Sequence, residues 1–222
     1  MTINYALIKR IFDLTLSISL IPIFLPIWLI IGLCIIADTK RAPLFIQRRG
    51  LSLDSGLFSI IKLRTFRDTA SGGERNISLL NKPEQAHLIS AFGKWLRKTG
   101  LDETPQLINI LKGEMSFIGP RPLMLSDLRA IEKASPDLYE RRDRIQLRPG
   151  LSGPWQLYKD KTGNPVNLLV LDEYYENNIG IGLDMKLMMM SLLVALAGTH
   201  KDSDFIRDGK EERKHVLVSN NE

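Results

Sequence analysis

LTLSISLIPIFLPIWLIIGLCIIA, residues 14–37, runs from Leu14 to Ala37 without a charged side chain. As one helix it would extend roughly 36 Å, enough to cross a bilayer. Pro22 and Pro26 stand in its middle, one helical turn apart. Each lacks an N–H, which frees the carbonyls of Ile18 and Pro22 and favours a sharp break. Ser17 and Ser19 can satisfy part of the freed backbone locally. The flanks carry the second signal. Lys9 and Arg10 precede the stretch, and Lys40, Arg41, Arg48 and Arg49 follow it. Positive residues at both ends favour keeping both ends in the cytoplasm. A broken helix with two cytoplasmic ends is a re-entrant hairpin, here residues 1–40. The alternative is a kinked single span with one flank translocated. A cleaved signal peptide fits less well, because the apolar region is too long and no small-x-small pattern precedes Asp38-Thr39-Lys40.

Beyond this stretch the composition is that of a soluble folded domain. Of 222 residues 44% are hydrophobic and 25% charged, so the apolar excess is local. A net charge of +5 suits an anionic membrane surface or phosphorylated substrates. Nucleic acid is not indicated, since no basic helix with interleaved aromatics is present. Cys34 is the single cysteine, so no intramolecular disulfide can form. His87, His200 and His215 are too scattered for a zinc site. Metal binding would therefore rest on carboxylates and phosphate, which favours magnesium or manganese.

Residues 41–197 read as one mixed, helix-rich α/β domain. Leu44-Phe45-Ile46 and Leu57 to Ile61 predict short strands around a turn from Gly50 to Gly56. Thr69 to Lys82 is polar and predicts a mobile loop. Ala86 to Leu96 predicts a helix, with Leu88, Ile89, Phe92 and Leu96 on one face. A second helix is expected from Thr104 to Lys112, capped by Gly113. Met115 to Ile118 is strand-like, and Leu123 to Arg144 is helical with an interruption near Ser135-Pro136. Leu183 to Ala197 is apolar and methionine-rich, too short to span comfortably, and suits the membrane interface or the core. Residues 198–222 form a charged tail expected to be disordered.

The most informative segment for chemistry is Arg97-Lys98-Thr99-Gly100-Leu101-Asp102-Glu103-Thr104-Pro105-Gln106. Pro105 is tolerated only in a first helical turn, so Asp102 and Glu103 sit at a helix start. There the chain can turn both carboxylates toward one place, whereas within a helix neighbours diverge by about 100°. A helix start also favours anions, whether these carboxylates or a phosphate. Taken alone, such a pair is usually capping. Gly119-Pro120-Arg121-Pro122 fixes one arginine between two prolines, which suits presenting a guanidinium to phosphate. Arg148-Pro149-Gly150 and Gly153-Pro154-Trp155-Gln156 join an arginine to glycines, an aromatic and an amide that can contact a nucleotide or sugar.

Together with Lys9-Arg10-Ile11-Phe12-Asp13, Lys62-Leu63-Arg64-Thr65, Leu171-Asp172-Glu173-Tyr174-Tyr175 and Leu183-Asp184-Met185-Lys186, these motifs resemble the small monotopic phosphoglycosyl transferases, a bacterial sugar transferase family. The resemblance covers all but the tail. It implies a re-entrant membrane helix-break-helix, a cytoplasmic α/β domain with interfacial helices, and residence at the bacterial inner membrane. The implied reaction moves a phosphosugar from a UDP-sugar to undecaprenyl phosphate with Mg2+, releasing UMP. Asp102 would be nucleophile and metal ligand, and Glu103 its partner in a catalytic dyad. Arg97, Arg121 and Arg148 match positions associated with phosphate or nucleotide binding, with Lys62, Arg64, Asp172 and Gln156 as further site members. The sequence departs from the family pattern at Leu25-Pro26, where Ser-Pro is usual. It departs again at Phe66, where a methionine is usual and only packing should change, and at Gly153-Pro154-Trp155-Gln156, where Gly-Trp-Ala-Gln is usual.

Two other classes are consistent with the residues. A membrane-anchored nucleotide-diphosphate hydrolase would use water as acceptor, and a non-catalytic scaffold would tolerate replacement of Asp102. The sugar is not specified, although the short chain leans toward an amino sugar. Homo-oligomerisation is left open.

Overall fold

The computed structural model describes residues 3–54, 56–67, 89–158 and 165–197. The expected loop at Thr69–Lys82 and the charged tail 198–222 lie outside the described residues.

Helix α1 runs from Ile3 to Thr39. Strand β1 (Leu44–Gly50) pairs antiparallel with β2 (Phe58–Leu63), so the turn expected from Gly50 begins one residue later, after Gly50 closes β1. Next come α2 (Ala91–Thr99), a 3₁₀ segment (Leu101–Gln106) and α3 (Leu107–Lys112), then β3 (Ser116–Ile118) and β4 (Leu123–Met124). Helices α4 (Leu125–Ala134) and α5 (Pro136–Asp143) break at Ser135 as expected. The chain continues through β5 (Gly150–Ser152), α6 (Pro154–Leu157), α7 (Pro165–Asn177) and α8 (Ile181–Ala197). One sheet has the order β2-β1-β4, and β3 pairs parallel with β5. This is the mixed, helix-rich α/β class.

Helix α2 starts at Ala91 and not at Ala86. Ser90 caps it by accepting from the Gly93 N–H, and Ile89 instead forms a β-bridge with Phe66. The hydroxyl cap and the bridge outweigh the apolar periodicity that extends the helix backward in sequence. The expected glycine cap at Gly113 is present, with φ 87°.

The break expected at Pro22 and Pro26 does not end α1, since both lie within one helix of 37 residues. The reason is packing on either side of them. Leu20, Ile21, Phe24 and Trp28 press on a core of Phe58, Ile60, Leu107, Ile110 and Met115, which holds that backbone helical. Asp13, Ser17, Ile31 and Ile35 extend the same stripe at helical spacing, and all are buried. The opposite face exposes Ile18, Leu25, Leu29 and Leu33. An apolar face of this length calls for a non-aqueous surrounding, and α1 is the one described helix long and apolar enough to cross a membrane.

Both ends of α1 are fastened to the same domain. Tyr5 Oη and Lys9 Nζ donate to Asp184 Oδ2 in the first turn of α8, at 2.6 and 2.7 Å. Tyr175 Oη donates to the other oxygen of Asp184 at 2.5 Å. Arg10 donates to the carbonyls of Ile110 and Leu111 at the end of α3, where a cation suits the helix dipole. At the far end, Asp38 pairs with Arg67. A helix of this length would span roughly 55 Å if straight, and the domain meets it at both extremes.

Candidate active site

The 3₁₀ segment carries Asp102 and Glu103 in its first turn. Gly100 adopts φ 71°, a left-handed conformation that lets α2 end and the chain turn immediately into this segment. Pro105 follows within the first turns, where its missing N–H costs nothing. The segment is anchored by the long apolar helix: Trp28 of α1 donates its indole N–H to Thr104 Oγ1 at 2.8 Å, and Thr104 in turn donates to the Leu101 carbonyl. Trp28 was not singled out in the sequence. An indole in an apolar helix has no visible partner until the fold supplies one.

Asp102 is buried, and burial pushes its carboxyl up to about 6, assisted by the neighbouring charge of Glu103 and opposed by Lys62 and Arg97. Glu103 behaves oppositely. Burial pushes it upward too, but Lys62, Arg121 and Arg49 together hold it below the usual carboxylate range. Lys62 Nζ donates to Glu103 Oε1 at 2.6 Å. Two adjacent carboxyls are thus driven apart in acidity, an arrangement found where two carboxyls take different roles.

Four cations act on the pair: Lys62 on both carboxyls, Arg97 on Asp102, and Arg121 and Arg49 on Glu103. Arg97 Nε donates to Thr65 Oγ1 at 2.9 Å, and its guanidinium lies 4.4 Å from the Phe66 ring centroid. Phe66, expected to affect packing only, therefore touches a site cation. Arg121 stacks in the same way over Trp155, also at 4.4 Å. Burial lowers the pKa of both arginines, and of Arg49 to about 10. Arg49 was read only as a flanking positive charge. Strand alternation could have found it, because β1 buries alternate residues and pairs Phe45 with Lys62, Gln47 with Ile60 and Arg49 with Phe58 on one face.

Asp172 is fully buried and does not face the dyad directly. It pairs with Arg142 at 2.8 Å and accepts the backbone N–H of Arg121 at 3.2 Å, while burial pushes its carboxyl up to about 6 against the pull of Arg142. Arg142 also donates to the carbonyls of Arg121 and Leu51. Sequence reasoning missed Arg142 because its partners lie far away along the chain. Asp172 thus fixes the loop that carries Arg121.

Two expected members are held elsewhere. Arg64 donates to the Ala42 carbonyl at 2.7 Å and lies over Phe45, at the sheet edge. Arg148 donates to the Gly113 carbonyl at 3.0 Å, beside the end of α3. Arg64 is half-buried and Arg148 exposed, and neither bonds to the dyad among the described residues. Gln156 follows Trp155 on α6, and its Oε1 is buried without a hydrogen-bond partner.

Among the described residues no cluster of three His, Cys, Asp or Glu side chains can hold a metal ion. A magnesium ion needs no such cage, since it is usually held by one or two carboxylates plus substrate phosphates and water. The donor chemistry of Asp102 beside Glu103 fits that requirement.

Residues 4–198 match the family described as bacterial sugar transferase. The chain is 34% identical to the UDP-glucose:undecaprenyl-phosphate glucose-1-phosphate transferase of Caulobacter vibrioides over 65% of this chain and 51% of that protein. It is 29% identical to the UDP-N-acetylgalactosamine-undecaprenyl-phosphate N-acetylgalactosaminephosphotransferase of Aeromonas hydrophila, over 87% of this chain and 45% of the other. The uncharacterized sugar transferase EpsL of Bacillus subtilis is 27% identical over 96% of this chain and 94% of its own length. The chain spans about half the length of the first two relatives, and between 26% and 44% of several others. With nearly all of α1 to α8 inside the match, the chain belongs to the bacterial sugar transferase family.

Proposed function

We propose that the protein is a phosphoglycosyl transferase that moves a sugar 1-phosphate from a UDP-sugar to a polyprenyl phosphate such as undecaprenyl phosphate, releasing UMP. The observation that carries this reading is the dyad itself: two adjacent carboxyls of divergent acidity inside a ring of Lys62, Arg97, Arg49 and Arg121. With Arg142, Asp127 and Asp172, which also act on Arg121, five cations face four carboxyls, a balance that still leaves positive charge for a diphosphate. Family membership and the printed activities of the two partly overlapping relatives support the same reaction class.

In the first step an Asp102 carboxylate oxygen attacks the sugar-bearing β-phosphorus. The bond from that phosphorus to the bridging oxygen breaks, and UMP leaves with the electron pair. An acyl phosphate joins Asp102 to the sugar phosphate. In the second step a phosphate oxygen of the polyprenyl phosphate attacks the same phosphorus. The Asp102 carboxylate is released and the polyprenyl diphosphosugar is formed. Asp102 and Glu103 would hold Mg2+, which when bound neutralises diphosphate charge. Arg121 and Arg97 bind phosphate oxygens, and Lys62 keeps Glu103 ionised and oriented.

The lipid acceptor explains the membrane helix. Trp28 ties α1 to the dyad segment, so the catalytic turn sits where a lipid phosphate can reach it. We place both ends of α1 on the cytoplasmic face of the inner membrane, in a re-entrant arrangement in which the helix bends at Pro22 and Pro26 without being interrupted. The positive flanks and the fastening of both ends to one domain support this reading. Single cysteines at Thr2 and Lys40, in a Cys34→Ser background, should both resist a membrane-impermeant thiol reagent in intact cells and react after permeabilisation. Labelling of one site alone in intact cells would establish a single span.

The reaction is tested by UMP release against a panel of UDP-sugars. Sustained turnover should require undecaprenyl phosphate. Equal turnover with water alone would make the protein a hydrolase. Arg121→Lys should lose at least about tenfold in kcat/KM while melting normally, because an ammonium cannot copy a bidentate guanidinium. Unchanged turnover would remove Arg121 from phosphate binding.

A further inference from the structure

Arg121 is held on every side except its donor edge. Its backbone N–H is taken by Asp172 and its carbonyl by Arg142. One guanidinium face rests on Trp155, 4.4 Å from the ring centroid. Its Nε is buried and has no hydrogen-bond partner among the described residues. Trp155 is itself wedged in place. Its indole N–H donates to the Gly119 carbonyl at 3.1 Å, two residues before Arg121. Glycines let the two loops touch backbone to backbone: a Cβ at Gly153 would collide with the Gly119 carbonyl and lie 2.8 Å from Trp155 Nε1. The ring is therefore tied by its indole N–H to the loop that carries Arg121.

Arg97 repeats the pattern on the other flank of the dyad. Its guanidinium lies over Phe66 at the same 4.4 Å, and Nε is fixed by Thr65. Phe66 is pinned by its bridge to Ile89. An aromatic face attracts a cation without consuming its N–H groups, so stacking leaves Arg121 its donor edge and leaves Arg97, whose Nε is taken by Thr65, its terminal N–H groups for an anion. A carboxylate partner would have occupied that edge.

We infer that Trp155 and Phe66 are positioning residues for the phosphoryl transfer, each holding one arginine with its N–H edge toward the diphosphate. The face of each ring that the arginine covers is closed to the nucleotide base. The inference rests on the reading that Arg121 and Arg97 bind substrate phosphate, and the test separates the two.

The experiment is a pair of double-mutant cycles read as kcat/KM with a UDP-sugar and undecaprenyl phosphate. Trp155→Leu and Phe66→Leu should each lose about tenfold, the range of a desolvated cation–aromatic contact. Adding Trp155→Leu to Arg121→Lys should cost at most about twofold more, since the ring acts through the missing guanidinium. Phe66→Leu on Arg97→Lys should behave in the same way. The crossed pair, Trp155→Leu with Arg97→Lys, should multiply its losses. Trp155→Phe keeps a ring face without the indole N–H and should restore most of the activity lost in Trp155→Leu. It carries the test if the leucine variant fails to fold. Full multiplication within the matched pairs, or no rescue by phenylalanine, overturns the positioning role while leaving phosphate binding intact. Near-normal activity of both lysine variants overturns phosphate binding and the inference together.

Discussion

Asp102→Asn is expected to abolish UMP release and lipid-linked product together, by at least about a thousandfold, the scale seen when a nucleophile is removed. Asparagine is nearly isosteric but cannot form the acyl phosphate. The same substitution should leave the fold as stable or more so. Burial and Glu103 raise the Asp102 carboxyl to about 6, so its ionised form is disfavoured in the folded chain relative to the unfolded one. That cost is fully present above about pH 6 and vanishes below the unfolded value of about 4. Without added divalent cation, Asp102→Asn should therefore melt at or above the wild-type temperature at pH 8, with the difference lost by pH 4. Wild-type enzyme given UDP-sugar without lipid should show a phosphosugar adduct by intact-protein mass spectrometry, mapped to Asp102. If the adduct never forms and kinetics require both substrates at once, transfer is direct and Asp102 serves only to bind the metal.

Arg142→Met should be the most destabilising of the substitutions considered. It removes the ion-pair partner of a fully buried carboxylate and leaves Asp172 uncompensated. Breaking such a pair from one side costs about 3–5 kcal/mol, which for a chain of this size lowers the melting temperature by roughly 10 °C. Replacing both partners, Arg142→Met with Asp172→Leu, should recover much of that loss, because no charge is then left buried. Activity should not recover. Arg142 and Asp172 hold the carbonyl and the N–H of Arg121, and two apolar side chains hold neither. Recovery of activity along with stability would show that the Arg121 loop keeps its shape unaided.

What the sequence discloses follows from how local each signal is. Asp102 and Glu103 were legible because Gly100 and Pro105 bracket them within a few residues, and the observed 3₁₀ segment keeps both carboxyls at its start. Gly113 and the Ser135 break were legible for the same reason. Arg49 and Arg142 were not, since each acquires its role from a strand register or a partner far along the chain. Arg64 and Arg148 are the opposite case. Their motifs suggested the site, but nearby carbonyls at Ala42 and Gly113 hold them elsewhere. Phe66 and Trp155 looked like mere departures from a pattern and turned out to lie under two arginines. Pro22 and Pro26 mark where a helix resists continuing, and only the packing around them decides that it continues.

The fastening of α1 to α8 sets an order of events on the ribosome. Lys9 and its partner Asp184 are separated by 175 positions. At bacterial synthesis rates of about 5–20 residues per second, roughly 10–35 s pass between the emergence of one and of the other. For the first part of that interval, until Ser116 and Phe117 emerge to bind Asp13, the nascent helix exposes Asp13 and Ser17, which in the finished protein face the domain interior. An acidic side chain stranded at bilayer depth costs about 2.5–3.5 kcal/mol on insertion scales. The helix would therefore be held shallow, at the headgroup layer, until the domain closes over it. A chain released before Asp184 should be membrane-attached but loosely seated, and more open to proteolysis near its N-terminus than the full-length protein.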